Sequence, residues 1–247
     1  MIMTNPNVCC IRRSAAISHA YEILSAQGIS VSAYPTRNTK YLLLPVPSFP
    51  NGSAYLEELL PQLSWDVVIC GGNLNIPVLN DYRTIDFLAD PFYLAENAAI
   101  TARCAIRILS DRIRVNSTSV LILGWGRIGK CLGKFLNELG ARVSIAARKP
   151  EDLAVIHALG YTAVPVNSVH RILPQYQAIL NTIPAMILPQ METQDDAVIL
   201  ELASTPGMAG KNIIPTRGLP GIMAPEESGK LIAETFMRFF SNLEGNL

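Results

Sequence analysis

The sequence predicts an α/β protein: a Rossmann doubly wound parallel sheet with a second, smaller α/β lobe of flavodoxin-like kind. Three observations carry that prediction. Short apolar runs alternate with helical stretches along the chain, as strands buried on both faces by helices do. The mid-chain stretch SVLILGWGRIGKCLG (119–133) sets G-x-G-x-x-G between an apolar run and a helical pattern. A chain of 247 residues has room for one large domain or two small ones.

In the first part, the adjacent Cys9 and Cys10 read as strand residues, with a redox pair as the alternative. ISVSAY (29–34), YLLLPV (41–46) and WDVVICGG (65–72) read as short strands. SAAISHAYEILSAQG (14–28) reads as a helix whose inner face is Ile17, Ala20, Tyr21 and Leu24, stopped by Gly28. SAYLEELLPQL (53–63) opens on Ser53 as a cap and is cut short by Pro61. A polar stretch, NDYRTIDFLADP, leads to the helix 92–109. There Ala95, Ala98, Ala99, Ala102, Ala105, Ile106 and Leu109 form a small-residue stripe. We read it as the connecting helix between two domains.

In the second part, SVLIL (119–123), RVSIAA (142–147), TAVPV (162–166), AILNT (178–182) and AVILEL (197–202) read as strands, and 225–243 as a helix. Acids occupy that helix's first turn, and its apolar face is Leu231, Ile232, Phe236, Phe239 and Phe240. The expected division is a small substrate-side domain, residues 1–110 completed by 225–247, and a dinucleotide-binding domain, residues 111–224.

Composition narrows the function. Twenty basic and twenty acidic residues cancel, so no net field draws the chain to nucleic acid or an anionic membrane. Charged residues are only 16%, which fits surface hidden in a homo-oligomer or against a partner. Five cysteines without a C-x-x-C pair suit reduced thiols in a cytoplasm, and no metal-ligand pattern is readable. Neither a secretion signal nor a bilayer-length apolar run is visible.

In the glycine turn, Gly124 would permit the tight bend, Gly126 the approach of a pyrophosphate, and Gly129 close helix–sheet packing. Trp125, Arg127 and Ile128 complete the cofactor-binding turn, whose helix start offers free N–H donors. At the end of the next strand, where a carboxylate would select NAD, the chain has Ala146 and Ala147 followed by Arg148 and Lys149. Two cations favour the 2′-phosphate of NADP, with NAD as the alternative.

GWGRIG, ILNTIPAMIL (179–188), VILELASTPG (198–207) and GLPGIMAPEESGKLI (218–232) occur in an order and spacing that resemble the A subunits of dipicolinate synthases. The likeness is strong over residues 85–243 and loose before them. It implies a two-domain dehydrogenase subunit that works with a flavoprotein-like second subunit. The pair would oxidise a dihydrodipicolinate-type cyclic dicarboxylate to the dipicolinate of endospores, with NADP accepting hydride. It further implies cofactor contacts from Asn181, Thr182, Ile183 and Pro184, from Ala203 and Ser204, and from a loop bearing Pro220, Gly221 and Pro225. Glu96, at the position of a family glutamate, becomes the catalytic candidate, with pairing to Arg103 or another cation as the alternative; a carboxylate on an apolar stripe would be costly to bury without a task or a partner.

The chain departs from the family where VCCIRRSAA carries Arg12 and Arg13 in place of a glycine- and acid-bearing turn, and where Met208 replaces a glycine. His19, His157 and His170 fit no catalytic motif. Arg12, Arg13, Arg83 and Arg103 are the cations available to a dicarboxylate. Two alternatives stand beside the main expectation. One is an NADP-dependent reductase of another small carboxylate, and the other a non-catalytic cofactor-binding subunit that partners a flavoprotein.

Overall fold

The computed structural model describes residues 7–49 and 52–244. Residues 1–6 and 245–247, which close the two ends of the expected small domain, and residues 50 and 51 lie outside the described residues. Contacts divide the chain into two units, Met1–Asn97 with Pro220–Leu247, and Ala98–Leu219.

The first unit holds a five-stranded sheet: β1 (Asn7–Cys10), β2 (Ser30–Ser32), β3 (Tyr41–Leu43), β4 (Val68–Gly71) and β5 (Arg83–Asp86). All neighbours are parallel, in the order β2-β1-β3-β4-β5, which is the flavodoxin-like order. Cys9 and Cys10 are buried strand residues, and all five cysteines are thiols. Helix α1 (Ala15–Ala26) starts at Ser14, whose hydroxyl accepts from the Ile17 amide at 3.4 Å. It buries Ala16, Ile17, Ala20 and Leu24 and stops before Gly28, at φ +82°.

Two expectations in this unit need correction. Helix α2 (Tyr55–Leu59) has no side-chain cap; Ala54, already helical, stands at the cap position, and Ser53 supplies only its carbonyl to Leu56. Strand β5 lies inside the stretch read as polar. It is an edge strand with exposed Arg83 and Thr84, so it lacks the apolar run that marks a central strand.

Helix α3 (Pro91–Ser110) runs from the first unit into the second. Asp90 starts it, accepting from the Tyr93 amide at 2.9 Å while pairing with Arg238. Ala98, Ala102, Ala105, Ile106 and Leu109 of the expected stripe are buried, whereas Ala95 is exposed. After α6 (Leu219–Met223), α7 (Pro225–Glu244) closes the first unit against α1. The helices cross so tightly that a Cβ on Gly229 would lie 2.5 Å from the Ala16 carbonyl oxygen. Phe236 and Phe240 of α7 meet Tyr41 edge-on, at centroid distances of 5.4 and 5.8 Å.

The second unit contains β6 (Ser119–Leu123), α4 (Arg127–Glu138), β7 (Arg142–Ala147), α5 (Pro150–Ala158), β8 (Thr162–Pro165), β9 (Ala178–Asn181), β10 (Val198–Glu201) and β11 (Ile213–Pro215). Its six parallel strands are ordered β8-β7-β6-β9-β10-β11, the Rossmann order. Val120 to Leu123, Ile179, Leu180, Ile199 and Leu200 are almost fully buried, as a central parallel sheet requires. By contacts the units join at 97/98 and 219/220, inside α3 and α6, whereas the sequence reading put the joins after 110 and 224.

Candidate cofactor site

The sheet order of the second unit reverses between β6 and β9, and ligands of open α/β sheets bind outside the carboxyl ends of strands at such a point. The glycine turn leaves β6 there. Gly124 has φ +107°, a conformation that side chains rarely adopt, and its N–H donates to the Ala146 carbonyl at 2.9 Å. A Cβ on Gly124 would collide with the Thr182 hydroxyl, and one on Gly129 with the Gly124 carbonyl. Helix α4 is therefore pressed onto the turn. Gly126 differs from both. It is exposed, lies in extended backbone at φ −79° and ψ −170°, and a Cβ there would meet nothing within 4 Å. The turn is closed on the protein side and open at the helix start, which fits a pyrophosphate on the α4 amides.

Trp125 sits edge-on to Tyr161 at 6.1 Å, with the Lys130 ammonium 5.6 Å from its ring centroid. Arg127 is exposed and Ile128 half-buried. Arg148 and Lys149 are both exposed, just beyond the end of β7, which pairs with β6 so that Ala146 lies opposite Leu123. The structure thus brings the turn and the two cations to neighbouring strand ends.

The loop after β9 completes the edge. Thr182 donates from its hydroxyl to the Leu123 carbonyl at 2.8 Å and from its amide to the same oxygen at 2.9 Å. Asn181 is fully buried; its side chain accepts from the Ile183 amide at 3.0 Å and donates to the Ile183 carbonyl at 3.1 Å and to Glu201 at 2.8 Å. Pro184 and Ser204 are exposed, and Ala203 is buried.

Glu201 is the residue of this edge that the sequence reading missed. Its carboxylate, 6% exposed, accepts from the Asn181 amide group, from Ala203 N–H at 3.2 Å and from Gly207 N–H at 2.9 Å. Its backbone carbonyl accepts from the Thr216 hydroxyl at 2.6 Å. One buried carboxylate therefore fixes the loops that follow β9 and β10, offsetting its own desolvation with three donors. A signal was present: an acid inside the apolar run AVILEL, where a parallel strand is buried on both faces.

Glu96, Pro220, Gly221 and Pro225 are assigned by contacts to the first unit. Glu96 stands on α3 within the first unit and is exposed. The burial cost that singled it out does not apply. Pro220 and Gly221 belong to α6 and Pro225 opens α7, so the segment expected as a loop is a short helix followed by a helix start. His157 and His170 are exposed, and His19 lies 3.6 Å from Glu22 on α1.

No family model matches the chain. The A subunit of dipicolinate synthase from Bacillus subtilis (strain 168) is 29% identical over 203 residues, which are 78% of this chain and 63% of that protein. The chain is similar to dipicolinate synthase A. The motif resemblance is borne out, and the chain spans 63% of that relative's length. The solved dipicolinate synthase A of Bacillus subtilis superposes with a TM-score of 0.81 at 20% identity, covering 99% of both chains. Its counterpart from Bacillus halodurans gives 0.78 at 20% identity, over 97% of this chain and 99% of that one. A transhydrogenase from Sinorhizobium meliloti gives 0.68 at 14% identity, over 90% and 80%. At these identities the superpositions speak for the fold: two parallel α/β units, shared with the dipicolinate synthase A structures.

Proposed function

We propose that the chain is an NADP-dependent oxidoreductase subunit of the dipicolinate synthase A type. The observation that carries the reading is the glycine turn. It is sealed behind Gly124 and Gly129 and open at Gly126, at the reversal point of a Rossmann sheet. The α4 amides would hold the pyrophosphate, the loops fixed by Asn181 and Glu201 would border the nicotinamide end, and Arg148 with Lys149 would meet the 2′-phosphate. NAD is the alternative cofactor.

When bound, the nicotinamide supplies a two-electron hydride acceptor. The proposed reaction removes hydride from a ring C–H of a dihydrodipicolinate-type dicarboxylate and releases one proton, giving the aromatic pyridine-2,6-dicarboxylate. Aromatisation provides much of the driving force, so a modest base suffices. Glu96, on α3, is the proposed proton acceptor. The relative is by name one lettered subunit of its synthase, which supports a partner subunit, proposed to be flavoprotein-like. A homo-oligomer working in the cytoplasm completes the reading; no described helix is long and apolar enough to cross a membrane.

The test is turnover. With NADP and a dihydrodipicolinate, the protein and its partner form pyridine-2,6-dicarboxylate and NADPH in equal amounts. Product appearing at the uncatalysed rate defeats the reading. A second reading, a cofactor-binding subunit without turnover of its own, is favoured by Arg12 and Arg13 in the turn after β1. It predicts co-purification with a flavoprotein whose activity survives Glu96→Gln.

A further inference from the structure

The first unit has its own reversal point. Its order β2-β1-β3-β4-β5 turns back between β1 and β3, and open α/β sheets bind ligands outside the carboxyl ends of strands at such a point. Residues 11–14 follow β1 there, and residues 44–48 follow β3. Of the first-unit arginines weighed for a dicarboxylate, Arg83 fails on placement. It begins β5, opposite Val68, at the other edge of the sheet. Arg12 turns along α1, its Nε donating to the Ser18 hydroxyl at 3.3 Å and its guanidinium 5.0 Å from the Tyr21 ring.

Arg13 is the one held at the reversal point. Its guanidinium lies 4.1 Å from the centroid of the Tyr55 ring. That ring is itself anchored: the Tyr55 hydroxyl donates to the Ser48 carbonyl at 3.0 Å. Buried Ser48 ties two strand ends together, its hydroxyl accepting from the Gly72 amide at 2.9 Å and donating to the Pro45 carbonyl at 2.8 Å. Arg13 thus rests on a platform shared by the loops after β3 and β4. It is exposed, and among the described residues it makes no ion pair. A guanidinium on a ring face keeps its in-plane N–H donors for a planar, bidentate acceptor, and the stacking lowers the entropy lost when one binds.

We propose that Arg13, laid on Tyr55 at the carboxyl end of β1, binds a carboxylate of the small dicarboxylate substrate and sets the preference for two carboxylates over one. The proposal rests on the dicarboxylate reading of the function. It makes Arg13 a specificity residue of the first unit, independent of the nucleotide turn.

Calorimetric titration with NADPH present tests it, using pyridine-2,6-dicarboxylate and pyridine-2-carboxylate as probes. The wild type is expected to prefer the dicarboxylate. Arg13→Gln weakens the dicarboxylate by about ten- to a hundredfold and abolishes the preference, as loss of a charge-assisted pair does. Arg13→Lys keeps part of the affinity, because the charge remains while the fork is lost. Arg83→Gln changes nothing, and NADPH affinity is equal in all variants. If the wild type binds the dicarboxylate and Arg13→Gln binds it equally, the proposal is overturned while the substrate reading stands. If the wild type binds NADPH but neither probe, both fall.

Discussion

Replacing Gly126 by alanine and, separately, Gly129 by alanine divides the fold of the turn from its use. At Gly126 the backbone is extended and the added methyl meets nothing within 4 Å, so the folded state accepts it without strain. Removing a glycine narrows the unfolded ensemble by about 0.4–1 kcal/mol, while alanine is the poorer residue at this helix cap, so the two effects oppose each other and the melting temperature moves by less than roughly 4 °C. The same methyl stands where the pyrophosphate must approach, so NADPH affinity falls by at least about tenfold. At Gly129 the methyl collides with the Gly124 carbonyl, a backbone atom that cannot swing aside. Overpacking of this kind costs about 1–3 kcal/mol, and the melting temperature drops. Differential scanning calorimetry and NADPH fluorescence titration read both effects. A Gly126→Ala protein that binds NADPH as tightly as the wild type would refute the reasoning, because the open side of the turn would then not face the cofactor.

Three further outcomes follow from the geometry. Glu201→Gln turns one acceptor oxygen into a donor facing Gly207 or the Asn181–Ala203 side, which costs about 2–4 kcal/mol and lowers the melting temperature by several degrees; an unchanged value counts against the clamp. Glu96→Gln lowers kcat with NADPH affinity preserved, and unaltered turnover removes Glu96 from the chemistry. Burial pushes the Cys10 thiol from its ordinary 9.0 up to about 12, and raises Cys70 as well. The neutral thiols' contribution is whole below pH 9.0 and is lost as pH climbs toward 12, so alkaline unfolding is expected in that window; equal stability at pH 8 and pH 11 would contradict it.

The parts of this protein legible in the sequence are those where one rule acts alone. Val120 to Leu123, running into Gly124, could only be a buried parallel strand entering a tight turn, and the bend at Gly124 and the close packing at Gly129 were readable from spacing. Ser14 and Gly28 bracketed α1 because capping is local. Strand β5 was hidden because an edge strand with exposed Arg83 and Thr84 needs no apolar run. Ser53 failed as a cap because Ala54 is already helical, which no residue type announces. Glu201 escaped notice because its partners, Asn181, Ala203 and Gly207, meet it only after β9 and β10 pair. Glu96 illustrates the converse: an argument from burial cost depends on burial, and α3 turns that side chain to solvent.

Parallel titration of the purified protein with NADPH and NADH, repeated on the Arg148→Gln/Lys149→Gln double variant, tests the central claim most directly. The account predicts saturable binding of NADPH, at least about tenfold tighter than NADH, and a preference that collapses in the double variant. Negligible affinity of the wild type for both nucleotides would contradict it.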